Sequence, residues 1–185
     1  MATAEMLELV TAEEFGKRPD PGYPEELIRG RVTAMPVPDK RHGYVCLKVG
    51  RIFGDFVDER SLGRVMSNDS GVITEREPDT VRGADVSFYS FSRLPEGPLA
   101  PGYGNEVPEL VVEVRSPGDC WRDIQKKITE YLQAGVLTVV VLDPGLNTAH
   151  VFSADHPPRT LGADDELILT GILEGFRVRV GRFFE

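Results

Sequence analysis

The sequence is short of cysteine, histidine and long apolar runs. Two cysteines and three histidines in 185 residues exclude a disulfide framework, and because they show no metal-ligand spacing we expect no structural zinc site. No stretch approaches the roughly 18 apolar residues that a membrane span needs. Basic residues are also outnumbered, at 21 Lys and Arg against 30 Asp and Glu. The net charge of −9 therefore provides no global positive field for a polyanion.

The rest of the composition is typical of an ordinary globular protein, with 41% hydrophobic and 28% charged residues. A chain of this length usually forms one core, so the sequence predicts a single domain over residues 1–185. Residues 1–15 lack a basic flank followed by an apolar run, which predicts no export signal. We therefore expect a cytoplasmic protein with no membrane partner.

Apolar periodicity predicts two long helices. Apolar residues recur at three- and four-residue spacing over residues 40–59, as in an amphipathic helix. A second helix is predicted over residues 119–134 and ends at Gly135. Thr11 and Glu14 have the spacing of a capping box and predict a short helix near the start.

Strand-like segments occupy most of the remaining chain. Residues 110–114 and 137–142 are nearly all apolar, and with the helix between them they predict a parallel crossover. Residues 26–34 alternate as one strand. Three short runs, 63–66, 71–74 and 84–89, predict a meander, and further runs lie at 148–152, 167–169 and 176–180. The predicted fold class is α/β or α+β, a mixed sheet flanked by at least two helices.

Two acidic residues stand at positions where the pattern expects none. Glu113 lies inside an apolar strand, where an isolated carboxylate costs several kcal/mol unless a partner, a proton or a metal compensates. Strand alternation puts Asp85 on a face with Ser87, opposite Ala84 and Val86, so Asp85 could share a face with Glu113. The alternatives are that Glu113 pairs with an arginine and that Asp85 merely begins a strand.

The third unusual residue is Lys127. Ile124, Ile128 and Tyr131 define the apolar stripe of the predicted helix, and Lys127 falls about 60° from Ile124 on one flank of that stripe. One interpretation is that its stem covers the sheet while the ammonium reaches water. The other is that the ammonium extends toward Glu113. Two carboxylates and a lysine would suit a divalent ion such as Mg²⁺ and phosphodiester chemistry.

At these residues the sequence resembles the PD-(D/E)xK nuclease superfamily, which has a restriction-endonuclease-like fold. Nearly the whole chain resembles the Uma-two family of bacterial endonucleases. The matching segments are 26–31, 42–43, 83–88, 108–117, 127–136 and 141–144.

The resemblance implies that Asp85 and Glu113 bind Mg²⁺ or Mn²⁺ and that Lys127 is the basic catalytic residue. Glu26 resembles the glutamate of the superfamily's first motif. His42 matches a recurrent family position, where a phosphate contact, a helix cap and a packing role are all open. Arg115 stands where the superfamily usually has a strand lysine, and it stays protonated. We treat His42 and Arg115 as candidate substrate-binding residues.

Two hypotheses follow. The first is a Mg²⁺- or Mn²⁺-dependent endonuclease that hydrolyses DNA phosphodiester bonds, as a homodimer because two sites cut both strands most easily. The second is a non-catalytic binding or assembly module with the same fold, suggested by the acidic charge and by Arg115. In the second hypothesis Glu113 pairs with a cation from Arg115 or the helix and binds no metal.

Overall fold

Local sequence signals begin and end the helices. The computed structural model describes residues 9–185; residues 1–8, part of the segment expected to lack an export signal, lie outside the described residues. The helices are α1 (Ala12–Phe15), α2 (Lys40–Arg60), α3 (Trp121–Ala134) and a 3-10 helix (Val180–Phe183). Thr11 and Glu14 form the predicted capping box. Gly135 ends α3 with a φ of 103°, a conformation that favours glycine. Both long helices are confirmed.

The strands form a mixed sheet and a small hairpin. They are β1 (Glu25–Ile28), β2 (Arg31–Ala34), β3 (Gly63–Glu75), β4 (Thr80–Ser90), β5 (Leu110–Val114), β6 (Thr138–Asp143), β7 (Thr148–Ser153), β8 (His156–Leu161), β9 (Glu166–Ile168) and β10 (Arg177–Arg179). The sheet order is β2-β1-β4-β5-β6-β7-β8, with β3 paired to β4, while β9 and β10 pair separately. Strands β5 and β6 are parallel across α3, which confirms the predicted crossover.

The two long helices pack on opposite faces of the sheet. Val112 belongs to the core cluster of α2, whereas its neighbour Val111 belongs to the cluster of α3. Both valines are at most 1% exposed, as expected for a strand covered on both sides, and each contributes roughly 1.5–3 kcal/mol by burial. Among residues 9–185, no helix is both long and apolar enough to cross a membrane.

The prediction of one strand over residues 26–34 is wrong, because the segment forms the hairpin of β1 and β2. Arg29 and Gly30 make the two-residue turn with φ angles of 49° and 74°. Two successive positive φ angles are typical of the tight turn whose twist matches paired strands. The alternation of apolar and polar residues continues through the turn, so the pattern did not indicate where the first strand ends.

The prediction of a three-strand meander over residues 63–89 is also wrong. The segment forms two long paired strands, β3 and β4. Their register shifts between Ser67 and Ser70, where Asn68 and Asp69 have positive φ. An irregularity of this kind bends a strand without ending it, so the polar residues suggested a break that the backbone does not make.

Strand β8 was missed because it contains Pro157 and Pro158. Proline cannot donate to the ladder and is tolerated mainly on an edge. In the sheet order β8 is terminal, paired to β7 on one side. The prolines therefore indicate the position of the strand and not its absence.

The sheet divides at β4, and this division positions the site. Strand β3 pairs along one edge of β4 from Thr80 to Ser90. On the other edge, β1 pairs at Val81 and β5 pairs at Val86 to Phe88. A gap is left between β1 and β5, opposite the segment 83–85. Backbone groups at this gap bond to carboxylates: Glu26 accepts from the Gly83 amide at 3.2 Å and Asp85 from the Val114 amide at 2.6 Å.

Candidate active site

A cleft of about 590 Å³ opens at this gap. All the candidate residues from the sequence except Arg115 line this cleft: Glu26, His42, Asp85, Glu113 and Lys127. Asp69, which the sequence did not suggest, lines it as well. A larger cavity of about 880 Å³ lies at the opposite end of α3, beside residues such as Leu132, Val136 and Ile168. We place the candidate site in the smaller cleft, because several carboxylates and a lysine converge there.

Asp85 lies within β4 and not at the start of a strand. It is 7% exposed, and one carboxylate oxygen, Oδ2, accepts the Val114 amide at 2.6 Å. The same oxygen lies 3.3 Å from Nε2 of His42 on α2. Burial lowers the pKa of His42, but the hydrogen bond and charge of Asp85 outweigh it and raise the pKa. Asp85 is therefore held from two directions, by β5 and by α2.

The prediction that Ala84 shares a face with Val86 is wrong. Ala84 packs in the core cluster of α3, while Val86 packs in that of α2. The register shift opposite this segment breaks the strict alternation of side chains.

Glu113 is held by two residues of α3. The Tyr131 hydroxyl donates to Oε1 at 2.8 Å, and Nζ of Lys127 lies 3.5 Å from Oε2. Burial and the negative charge of Asp85, opposed by Lys127, raise the pKa of Glu113 to about 7. Lys127 and Tyr131 therefore compensate the burial of the Glu113 carboxylate, and no arginine of the described residues does so.

Lys127 reaches over β5 toward the acids. Its ammonium lies 3.0 Å from Oε1 of Glu26 and 3.5 Å from Oε2 of Glu113. Burial lowers the pKa of Lys127, but Glu113 and Glu26 outweigh it, so the pKa is raised and the ammonium stays charged. The side chain is 22% exposed, and its ammonium pairs with these two carboxylates instead of extending into water.

Glu26 is kept in place by Arg82. The guanidinium donates to Oε2 of Glu26 at 2.7 Å and makes two bonds of 2.6 and 2.9 Å to Glu130 of α3. Arg82 is 6% exposed, and the two carboxylates raise its pKa although burial opposes them. The other oxygen of Glu26, Oε1, is then the one that meets Lys127.

Arg115 is not brought to the carboxylates of the cleft. Its guanidinium donates to Asp143 at 2.7 Å and to the backbone carbonyl of Asp119 at 3.2 Å. Burial raises the pKa of Asp143, but Arg115 and nearby backbone amides outweigh it and lower the pKa. These contacts join the ends of β5 and β6. A role in substrate binding stays a prediction.

Sequence reasoning missed Asp69 and Tyr131. Asp69 enters the cleft from the irregular part of β3, with a φ of 54°. A Cβ at Gly83 would lie 3.0 Å from Cβ of Asp69, so glycine permits this close approach. From the sequence, the polar run Ser67 to Ser70 indicated a break between two strands, so it gave no signal for Asp69. Tyr131 was assigned only to the apolar stripe of α3.

The raised pKa of Glu113 predicts a pH dependence of stability in metal-free protein. The folded state holds this proton more tightly than the unfolded chain, whose glutamate has an ordinary value of 4.5. The resulting stabilisation is complete below about pH 4.5 and is lost as pH rises through about 7. Between pH 5 and 8 in chelator, we expect wild type to lose stability relative to Glu113→Gln, measured by urea denaturation.

The control is Glu96→Gln, because Glu96 is exposed. The stability of this variant should change with pH as that of wild type does over this range. The groups that face Glu113 are Lys127, Tyr131, Asp85 and Glu26. Parallel curves for wild type and Glu113→Gln would contradict the assignment of the pKa shift to Glu113.

Comparisons with known proteins agree with this fold. The Uma2 family model, described as "Putative restriction endonuclease", matches residues 12–181. The 1.96 Å crystal structure of "a putative nuclease belonging to DUF820" from Anabaena variabilis ATCC 29413 is similar, with a TM-score of 0.82 over 95% of this chain and 97% of that one. The two are 20% identical, so this likeness is one of fold. None of the curated proteins matches the chain. The family match extends over nearly all of the sequence, and the chain belongs to the Uma2 family.

Proposed function

We propose that the protein is a Mg²⁺- or Mn²⁺-dependent endonuclease that hydrolyses DNA phosphodiester bonds. The observation that carries the proposal is the meeting of Asp85, Glu113 and Lys127 in one cleft. The family description supports a nuclease, and hydrolysis of DNA requires stabilisation of negative charge on phosphorus-bound oxygens.

The donors of the cleft fit a hard divalent cation. Mg²⁺ is usually held by one or two carboxylates and keeps several waters, and Asp85 and Glu113 provide such a pair. Burial and the charge of Asp85 raise the pKa of Asp69, so the acids repel one another, which a cation would relieve. When bound, the cation supplies charge that stabilises a phosphoryl transition state and makes water more acidic.

The chain's own residues then have separate tasks. Tyr131 and the Val114 amide orient the two acids, so that little rearrangement is needed when a ligand enters. Lys127, charged and within reach of Glu113, neutralises negative charge on a bound phosphate. Glu26 orients the Lys127 ammonium from the opposite side.

DNA is the substrate in this proposal, although the net charge of −9 opposes it at long range. Contacts to the phosphates must come from local cations, and we keep His42 and Arg115 as candidates. A homodimer, whose two clefts would cut both strands, belongs to the same proposal.

The test is cleavage of supercoiled plasmid and of single-stranded DNA by purified protein. We expect nicking in Mn²⁺ and none in chelator. Plasmid left intact at every Mn²⁺ concentration, by protein shown to be folded, would contradict the nuclease assignment for this substrate.

One observation favours the non-catalytic module instead: Lys127 and Tyr131 already provide partners for Glu113. The two functions differ in thermal melting. A ligand that binds only the folded state stabilises it by about 2.7 kcal/mol at 100 times its Kd. For the nuclease we expect Mn²⁺ in the millimolar range to raise the Tm of wild type and not of Glu113→Gln; an unchanged Tm in both favours the module.

A further inference from the structure

His42 and Cys46 lie one helical turn apart on α2 and face the same acid. Sγ of Cys46 is 3.4 Å from Nδ1 of His42, and Nε2 of His42 is 3.3 Å from Oδ2 of Asp85. One potential ligand atom from each residue lies within 4.8 Å of the other two. From the sequence we expected no zinc site, because the histidines and cysteines show no metal-ligand spacing among themselves; the third residue of this group, Asp85, comes from β4.

The chemistry of these three donors differs from that of the carboxylates around them. An imidazole, a thiol and a carboxylate are the ligand types of Zn²⁺, whose sites often have three protein ligands and one open position. Thiolates bind Zn²⁺ and softer metals, whereas Mg²⁺ and Mn²⁺ prefer oxygen. Residues at i and i+4 on a helix project from one side, a spacing that zinc sites on helices use.

We propose that His42, Cys46 and Asp85 form a binding site for a thiophilic divalent cation of the Zn²⁺ class. The site shares Asp85 with the proposed Mg²⁺ or Mn²⁺ position, so Zn²⁺ and the hard cation compete. The evidence for the zinc site is the geometry of α2 and β4 alone. The competition between Zn²⁺ and the hard cation rests on the proposed function. On binding, the Cys46 thiol releases its proton to solvent as the sulfur-metal bond forms, with no change of oxidation state.

The second cysteine makes a direct test feasible. Cys120 is exposed at the start of α3, and the chain has no further cysteine. In Cys120→Ser, Cys46 is therefore the sole thiol. Addition of Co²⁺, a spectroscopic substitute for Zn²⁺, should produce a near-ultraviolet thiolate-to-cobalt charge-transfer band in wild type and in Cys120→Ser.

The same band should be absent from Cys46→Ser. Zn²⁺ affinity should fall in Cys46→Ser and His42→Gln by at least on the order of 10- to 100-fold, the loss seen when mere supporting residues of a metal site are changed. Absence of the band from Cys120→Ser overturns the proposal, and this test leaves all three proposed ligands unchanged. Retention of the band in Cys46→Ser overturns it as well.

Competition is measured through Mn²⁺, whose free ion has a sharp paramagnetic resonance signal. We expect Zn²⁺ to release bound Mn²⁺ from wild type, and to require a higher concentration to do so in Cys46→Ser. Protein that never binds Mn²⁺ overturns the proposed function and the competition, while the cobalt band still decides the zinc site. Simultaneous binding of both ions overturns the competition alone.

Discussion

Replacing Asp85 by asparagine is expected to lower the rate of Mn²⁺-dependent DNA cleavage by on the order of 10²- to 10³-fold. Asparagine keeps an oxygen that can accept the Val114 amide, now bonded at 2.6 Å, so the backbone of the cleft is preserved. The charge that would hold the cation is lost. The rate of conversion of supercoiled plasmid at saturating Mn²⁺ measures the effect.

The matched control is Asp155→Asn, an exposed aspartate that lines the other, larger cavity. We expect this variant to cleave at the wild-type rate. Circular dichroism and the Tm establish that both variants are folded. An Asp85→Asn protein that cleaves as fast as wild type would exclude Asp85 from the metal site.

Replacing Arg82 by methionine is expected to destabilise the fold by about 3–5 kcal/mol, because it removes the guanidinium that bonds both Oε2 of the buried Glu26 and the carboxylate of Glu130. Arg82 is 6% exposed and bridges Glu26 and Glu130 through bonds of 2.6–2.9 Å. For a domain of this size the Tm should fall by roughly 6–20 °C. Urea denaturation at pH 7 measures the free energy of unfolding.

Arg177→Met is the matched control for this loss. Arg177 pairs with Glu166 at 3.5 Å, with the side chains 63% and 47% exposed. A surface pair of this kind contributes about 0–1 kcal/mol. If the two arginine variants lost similar stability, the bridge between β1, β4 and α3 would not be a major support of the fold.

The secondary structure was most predictable where one pattern ran for many residues. The helix at Lys40–Arg60 and the strand pair around α3 follow directly from apolar periodicity. The failures are local. A turn at Arg29 and Gly30 lay hidden in an alternating segment, and prolines concealed the edge strand β8.

Periodicity alone identified those site residues whose chemical character conflicts with their position, while Glu26 and His42 were identified by the family resemblance. Glu113 in an apolar strand and Lys127 beside an apolar stripe both required a partner. Tyr131 and Asp69 conflict with nothing: a tyrosine suits a buried helix face, and an aspartate suits a polar run. The hydrogen bond from Tyr131 to Glu113 and the position of Asp69 beside Asp85 in one cleft become visible only in three dimensions.

The sequence by itself determined the mixed sheet, its long helices and the resemblance to a nuclease family, because periodicity and motif order are written along the chain. The tertiary structure decided which charges meet. Lys127 pairs with Glu26 and Glu113, and Arg115 pairs with Asp143. These choices depend on the gap between β1 and β5 and on the packing of α3, and contacts between distant segments follow from the packing of whole elements and not from local propensity.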